Sequence, residues 1–260
     1  MNFKNIELKI EPPAALITIR REQSHNAINE ETMGELIEAI DALEKEEGIK
    51  VAVITGSGKS FISGADIKEM AHMSPQEAER FSGHGALLVK KMRSSRLAFI
   101  AAVNGYAFGG GVEVALACDV ILASKNAIFA QSETNLGIIP GWGGTQNLPR
   151  RLGLHKALKL ILTAEQISAE EALRVGLIDE MSENQEELIK NAIALGNRMA
   201  ERSSLVIKRA KECVYNGMDC SLEQGMALER AAFSLCFSTE DQREGMEAFL
   251  EKRKPVFRDK

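Results

Sequence analysis

Hydrophobic positions change their period along this chain, and the change divides it in two. Residues 6–10 and 14–19 gather β-formers around Glu11-Pro12-Pro13, which predicts an N-terminal hairpin. Met33, Leu36, Ile37, Ile40 and Leu43 then recur at helical spacing and predict an amphipathic helix over about 30–46. Lys50–Thr55 is a short apolar run closed by a Gly-Ser-Gly turn, as expected of a strand covered on both faces. Ser74-Pro75-Gln76-Glu77 places a capping serine, proline at the first helical position and a reciprocal glutamate, so a helix starts there. Leu97–Val103 and Val120–Ala123 read as two more buried strands, with a helix over about 109–117 between them. Strands thus alternate with helices to roughly residue 180, the pattern of an α/β fold. From Asn184 onward the period is helical throughout, with helices expected over 184–201, 203–216, 221–237 and 239–253. Ser221–Gln224 and Thr239–Gln242 would supply capping boxes for the last two. The helix over 221–237 is apolar around much of its circumference, which predicts a buried position or a subunit interface.

Composition narrows the function without naming it. The 260 residues are 45% hydrophobic and 27% charged, enough for a large core. A net charge of -5 supplies no global positive field for nucleic acid or an acidic membrane. Cys118, Cys213, Cys220 and Cys236 have neither CxxC pairing nor metal-ligand spacing, so they read as buried thiols in a reducing compartment. The first ten residues hold neither an apolar leader core nor an Arg/Ser-rich amphipathic leader. The expectation is a cytoplasmic protein without a membrane span.

Several familiar motifs fail. Gly58-Lys59-Ser60 resembles the end of a phosphate-binding loop, but its first glycine would have to occupy Val53. Gly105, Gly109, Gly110 and Gly111 do not fit the dinucleotide fingerprint, and no G-x-S-x-G elbow occurs. The four histidines stand apart from one another and from the cysteines.

The informative stretch is Ile100–Asp119, where an apolar run meets a glycine triplet that opens a helix. Helix-start N–H groups point at whatever lies there, and an oxygen that becomes anionic in a transition state needs such donors. Glu113 lies in this helix among Val112, Val114, Ala115 and Leu116. A carboxylate among such neighbours is costly unless paired, solvated or protonated, so it reads equally as a structural ion-pair partner or a catalytic group. Glu133, in a Gln-Ser-Glu loop before a Pro-Gly-Trp-Gly-Gly turn, reads alone as an ordinary loop carboxylate. Phe61–Met70 offers a Ser-Gly-Ala-Asp turn that would cap a short helix.

Taken in order, three blocks resemble the crotonase (enoyl-CoA hydratase/isomerase) superfamily. They are Val103-Asn104-Gly105 through Gly109-Gly110-Gly111 to Cys118-Asp119, Gly64–Met70, and Ile139–Arg150. The likeness runs over nearly the whole chain. It implies a spiral of repeated ββα units over 1–195 that holds the active site. A helical module over 196–260 would serve oligomerisation and site closure, in a trimer or dimer of trimers. It implies that backbone N–H groups of Ala65 and Gly110 form an oxyanion hole for an acyl-thioester oxygen. Glu113 would then act as general base and Glu133 as general acid in hydrating a 2-enoyl-CoA. Ala27, Ala65, Asp66, Ile67 and Lys68 would lie along coenzyme A, with Phe257 and Lys260 of the basic tail near its nucleotide; a solvated charged end accounts equally well for that tail. Trp142 would line the acyl pocket or serve packing. No metal or other cofactor is implied, since coenzyme A is part of the substrate. A specialised hydratase such as a methylglutaconyl-CoA hydratase, or an isomerase, fits the same blocks. An RNA-binding role, known in one branch of the superfamily, finds no basic and aromatic surface in the sequence.

Overall fold

The computed structural model describes residues 3–260. Its first two strands, β1 (Ile6–Glu11) and β2 (Ala14–Ile19), form the expected antiparallel hairpin. Helix α1 (Glu30–Leu43) follows, started by Asn29, whose side chain accepts from the Thr32 N–H at 3.0 Å. Its buried face carries Met33, Leu36, Ile40 and Leu43, the positions set by the 3.6-residue period. The chain then repeats a strand–strand–helix unit. The first repeat has β3 (Val51–Gly56), β4 (Ser60–Ile62), α2 (Ile67–Met70) and α3 (Pro75–Ser94). The second has β5 (Ala98–Val103), β6 (Tyr106–Phe108) and α4 (Gly110–Ala117). The third has β7 (Val120–Ser124), β8 (Ile128–Ala130), a 3-10 turn over Glu133–Leu136, α5 (Gly144–Leu152) and α6 (Leu154–Thr163). The chain continues through β9 (Ile167–Ser168), α7 (Ala169–Val175), β10 (Glu180–Ser182) and α8 (Gln185–Ala200). It ends in α9 (Ser204–Gly217), α10 (Leu222–Cys236) and α11 (Glu240–Leu250).

Each repeat gives one strand to each of two sheets. The larger runs β1-β2-β3-β5-β7-β10 and is parallel from β2 onward; the smaller runs β4-β6-β8-β9. All six residues of β3 and of β5 are buried. Val51, Val53, Ala98, Ile100 and Ala102 face Leu188 and Ala192 of α8, while Ala52, Ile54, Phe99, Ala101 and Val103 face the main core. Cover on both faces is why these strands appear in sequence as continuous apolar runs rather than alternating ones. Residue 195 lies within α8, which ends at Ala200. No helix among the described residues is long and apolar enough to cross a membrane.

The small sheet positions the site. Strands β4, β6 and β8 are mutually parallel, with Ser60 beside Tyr106 and Phe108 beside Ala130. Parallel neighbours release their chains at the same edge. The segments beginning at Ser63, Gly109 and Gln131 therefore emerge together.

Capping differs in detail from expectation. The boxes at Ser74–Glu77 and Ser221–Gln224 are reciprocal. At Thr239 only half forms: its hydroxyl accepts from the Gln242 N–H at 3.1 Å, while the Gln242 amide turns to the Met246 sulfur. Helix α10 buries none of its residues in the single chain; Leu222 and Phe233 are 81% and 65% exposed. The interface alternative for this apolar surface therefore survives and the buried one does not.

Helix α9 is anchored to the core by a buried charge. Lys211 on α9 is 8% exposed, and its Nζ reaches Asp119 Oδ2 at 2.8 Å and the Leu97 carbonyl at 2.6 Å. Asp119 also accepts from Tyr215 Oη at 2.9 Å and from the Phe99 N–H at 2.8 Å. Removing one member of a buried pair leaves the other charge without its partner, so Lys211→Ala should destabilise the protein by about 3 kcal/mol in urea denaturation. Lys254→Ala, which breaks the exposed pair with Glu201, should cost less than about 1 kcal/mol. Equal losses for the two variants would remove Lys211 as the anchor.

Candidate active site

Two backbone donors lie at the shared edge. Ile28 and Ala65 form a parallel bridge in which the Ile28 N–H donates to the Gly64 carbonyl at 2.8 Å and the Asp66 N–H donates to the Ile28 carbonyl at 2.9 Å. In such a bridge the middle residue turns its own N–H away from the partner strand. The Ala65 N–H accordingly has no acceptor among the described residues. Gly110 is the first residue of α4, where helix geometry leaves the N–H unpaired. The turn before it is held by the Gly109 N–H donating to the Ala130 carbonyl at 2.8 Å, with Gly109 at φ 48, a conformation that favours glycine.

Around Ala65 the sequence-expected substrate residues gather. Asp66 caps α2 by accepting from the Lys68 N–H at 3.2 Å, and its other oxygen pairs with Arg21 at 3.0 Å. Arg21 also donates to the Ala27 carbonyl, which ties the two loops together. Ile67 and Lys68 are exposed beside them. Phe257 and Lys260 are placed elsewhere: the Phe257 ring lies against Gly245 of α11, and the Lys260 carbonyl accepts from the Glu240 N–H at 2.8 Å. Their neighbour Asp259 pairs with Lys50, at the amino end of β3 and away from the carboxyl edge. A single chain thus does not bring the tail to the Ala65 loop.

Glu113, in the first turn of α4, is only 1% exposed. One of its oxygens, Oε1, accepts from the Trp142 N–H at 2.7 Å and the Gly144 N–H at 2.6 Å. Burial is the strongest influence on its pKa, pushing it up to about 7; the Gly144 amide opposes this, and the charge of Glu133 adds to it. Glu133 opens the 3-10 turn after β8 and is also buried, and burial likewise raises its pKa. Its two oxygens accept from the Gln131 amide at 2.9 and 3.1 Å. Gly144 abuts both the Glu113 carboxyl and the Gln131 amide. A Cβ there would stand 3.0 Å from the Glu113 oxygen and 3.1 Å from the Gln131 nitrogen that holds Glu133.

Sequence reasoning missed two parts of this site. The amides of the Gly141–Gly144 turn act as a clamp on Glu113, a role carried by backbone atoms and so without a side-chain signature. Gln131 was visible only as a polar neighbour of Glu133; because the chain turns at Ser132 into the 3-10 segment, no strand periodicity marks the contact between them. Trp142, foreseen as pocket or packing, is 3% exposed, with its ring 5.9 Å from that of Phe81. Among the described residues no group of three or more His, Cys, Asp or Glu side chains is arranged to hold a metal ion.

Two sheets wound from ββα repeats, with paired carboxyls and unpaired amides at the carboxyl edge of the smaller, define an acid–base enzyme of crotonase architecture. The family model for enoyl-CoA hydratase/isomerase matches residues 10–260, and the chain belongs to that family. It is 41% identical to a short-chain-enoyl-CoA hydratase of Clostridium acetobutylicum, over 98% of this chain and 97% of that one. It is also 41% identical to a crotonyl-CoA hydratase of Syntrophomonas wolfei, over 99% of each. The crystal structure of an enoyl-CoA hydratase from Bacillus anthracis superposes with a TM-score of 0.94 at 34% identity, covering 99% of this chain and 100% of that one.

The raised pKa of Glu113 fixes the sign of a pH effect. Unfolded, this carboxyl ionises around 4.5; folded, around 7. Between those values the folded state holds more protons, so stability falls as pH rises. Relative to Glu113→Gln, the wild type should lose up to about 3 kcal/mol across this window in urea titrations at stepped pH. Parallel curves for the two proteins would show that the Glu113 pKa is not raised.

Proposed function

We propose that this enzyme adds water across the 2,3 double bond of a trans-2-enoyl-CoA to give a 3-hydroxyacyl-CoA. The observation that carries the reading is the pair of buried carboxyls, each held by its own donors and close enough for the charge of Glu133 to act on Glu113. An isomerase needs one proton-shuttling carboxyl. Burying a second, at a cost of several kcal/mol, makes sense where two groups must hold one water.

In this mechanism the thioester oxygen accepts from the N–H groups of Ala65 and Gly110. Glu113 takes a proton from water as the oxygen bonds to C3. The electron pair of the double bond moves to C2 and the thioester, whose enolate oxygen the two amides stabilise; one such donor is typically worth about 3 kcal/mol of barrier. Glu133 gives its proton to C2. The proton on Glu113 then returns to Glu133 through solvent when product leaves.

Ala27 and Ala65–Lys68 are read as lying along coenzyme A, and Phe257 and Lys260 as contacts with its nucleotide made by the tail of a neighbouring copy, since the chain's own tail does not reach the Ala65 loop. The exposed faces of α10 and α11, with Phe233 and Phe249 at 65% and 82% exposure, are read as surfaces between copies in a trimer or dimer of trimers. The free thiols favour a cytoplasmic setting.

Replacing Glu113 and Glu133 by Gln, singly and together, tests the pair. With crotonyl-CoA, followed by loss of the conjugated thioester absorbance, each single change should lower kcat by roughly 10²–10⁴. The double change should cost clearly less than the product of the two, because both groups act on one transition state. Full activity in Glu133→Gln would leave a single-carboxyl isomerase as the better reading.

A further inference from the structure

We propose that the Trp142 indole sets an upper limit on acyl-chain length, which makes this a hydratase for short enoyl thioesters. The inference rests on the hydratase reading above and concerns the wall of the same site.

The backbone and the side chain of Trp142 face different tasks. Its N–H grips Glu113 at 2.7 Å, so the residue begins beside the carboxyl that addresses C3 of the substrate. Its ring does not point to solvent but wedges between two helices. An added Cβ on Gly110, the first residue of α4, would meet the ring at 2.4 Å; one on Gly85, in the middle of α3, would meet it at 2.1 Å. The Phe81 ring, one turn earlier on α3, closes the remaining side. A glycine inside a twenty-residue helix disfavours that helix relative to alanine, and the indole is the structural reason for Gly85.

These contacts locate the ring along the substrate's path. The thioester oxygen is held at Gly110 and C3 lies at Glu113, so carbons beyond C4 must run past the residue that touches both. There they meet a buried indole backed by helix α3. A close-packed wall of this kind does not yield to extra methylenes without cost. A small residue at position 142 would leave a channel toward Gly85.

The test compares 2-enoyl-CoA substrates of four, eight and twelve carbons on the full-length wild type and Trp142→Ala. The wild type should turn over the four-carbon substrate with a kcat/KM at least about tenfold above that for eight carbons. Trp142→Ala should shift this ratio by about tenfold or more toward the longer chains, even if packing loss lowers every rate. If Trp142→Ala does not fold by circular dichroism, Trp142→Leu is read for the same shift. A wild type that hydrates all three lengths equally overturns the limit while leaving the hydratase reading intact, as does an unchanged ratio in the folded variant. A folded wild type that hydrates none of them instead overturns the hydratase reading itself.

Discussion

A carboxyl buried to 1% exposure must be given partners, and the partners of Glu113 organise the rest of the site. Both come from backbone. The Trp142 and Gly144 N–H groups converge on one oxygen, and Gly144 is the first residue of α5, where an unpaired N–H and the helix dipole both favour negative charge. Without that clamp an ionised carboxylate in this position would cost several kcal/mol. The start of α4, the Pro140–Gly144 turn and the start of α5 are thereby fixed to one another. Burial and clamp pull in opposite directions, and the result, a pKa of about 7, lets the group exchange a proton at neutral pH.

The second constraint is the small parallel sheet. Three strands of three residues each cannot be a stable unit alone; they are carried by the connections from the buried strands of the large sheet. Because they are parallel, their exits place Ala65, Gly110 and Glu133 at one edge although these lie far apart in sequence. Ligand sites outside the carboxyl ends of parallel strands are a general feature of α/β folds. Here the geometry arises from a repeat: each ββα unit delivers one framework strand and one site segment.

What could be read from sequence follows from the same physics. Helix α1, the buried strands β3 and β5 and the final helices leave periodic or compositional marks over six or more residues, and the Ser74 cap leaves a four-residue signature. Strands β4, β6 and β8 are too short to show a period, so the second sheet escaped notice. Glu113 was legible as an acid among Val112, Val114 and Leu116, whereas Glu133 gained meaning only from the family blocks. The clamp was illegible because any residue supplies an N–H. The surface of α10 was legible as apolar, but sequence does not distinguish a core from an interface.

Burial alone favours the resting proton on Glu113, whereas the proposed hydration needs Glu113 ionised and Glu133 protonated. The donors on Glu113 are backbone N–H groups, which can only donate, and they favour its carboxylate whatever its neighbour does. The donor on Glu133 is the Gln131 amide, which can turn over and offer its carbonyl to a protonated carboxyl. That carbonyl oxygen is buried and has no hydrogen-bond partner in the present orientation. A proton on Glu133 together with rotation of Gln131 would satisfy it. The hydrogen bonds around Glu133 can thus follow a change in its protonation, as the proposed role of general acid requires.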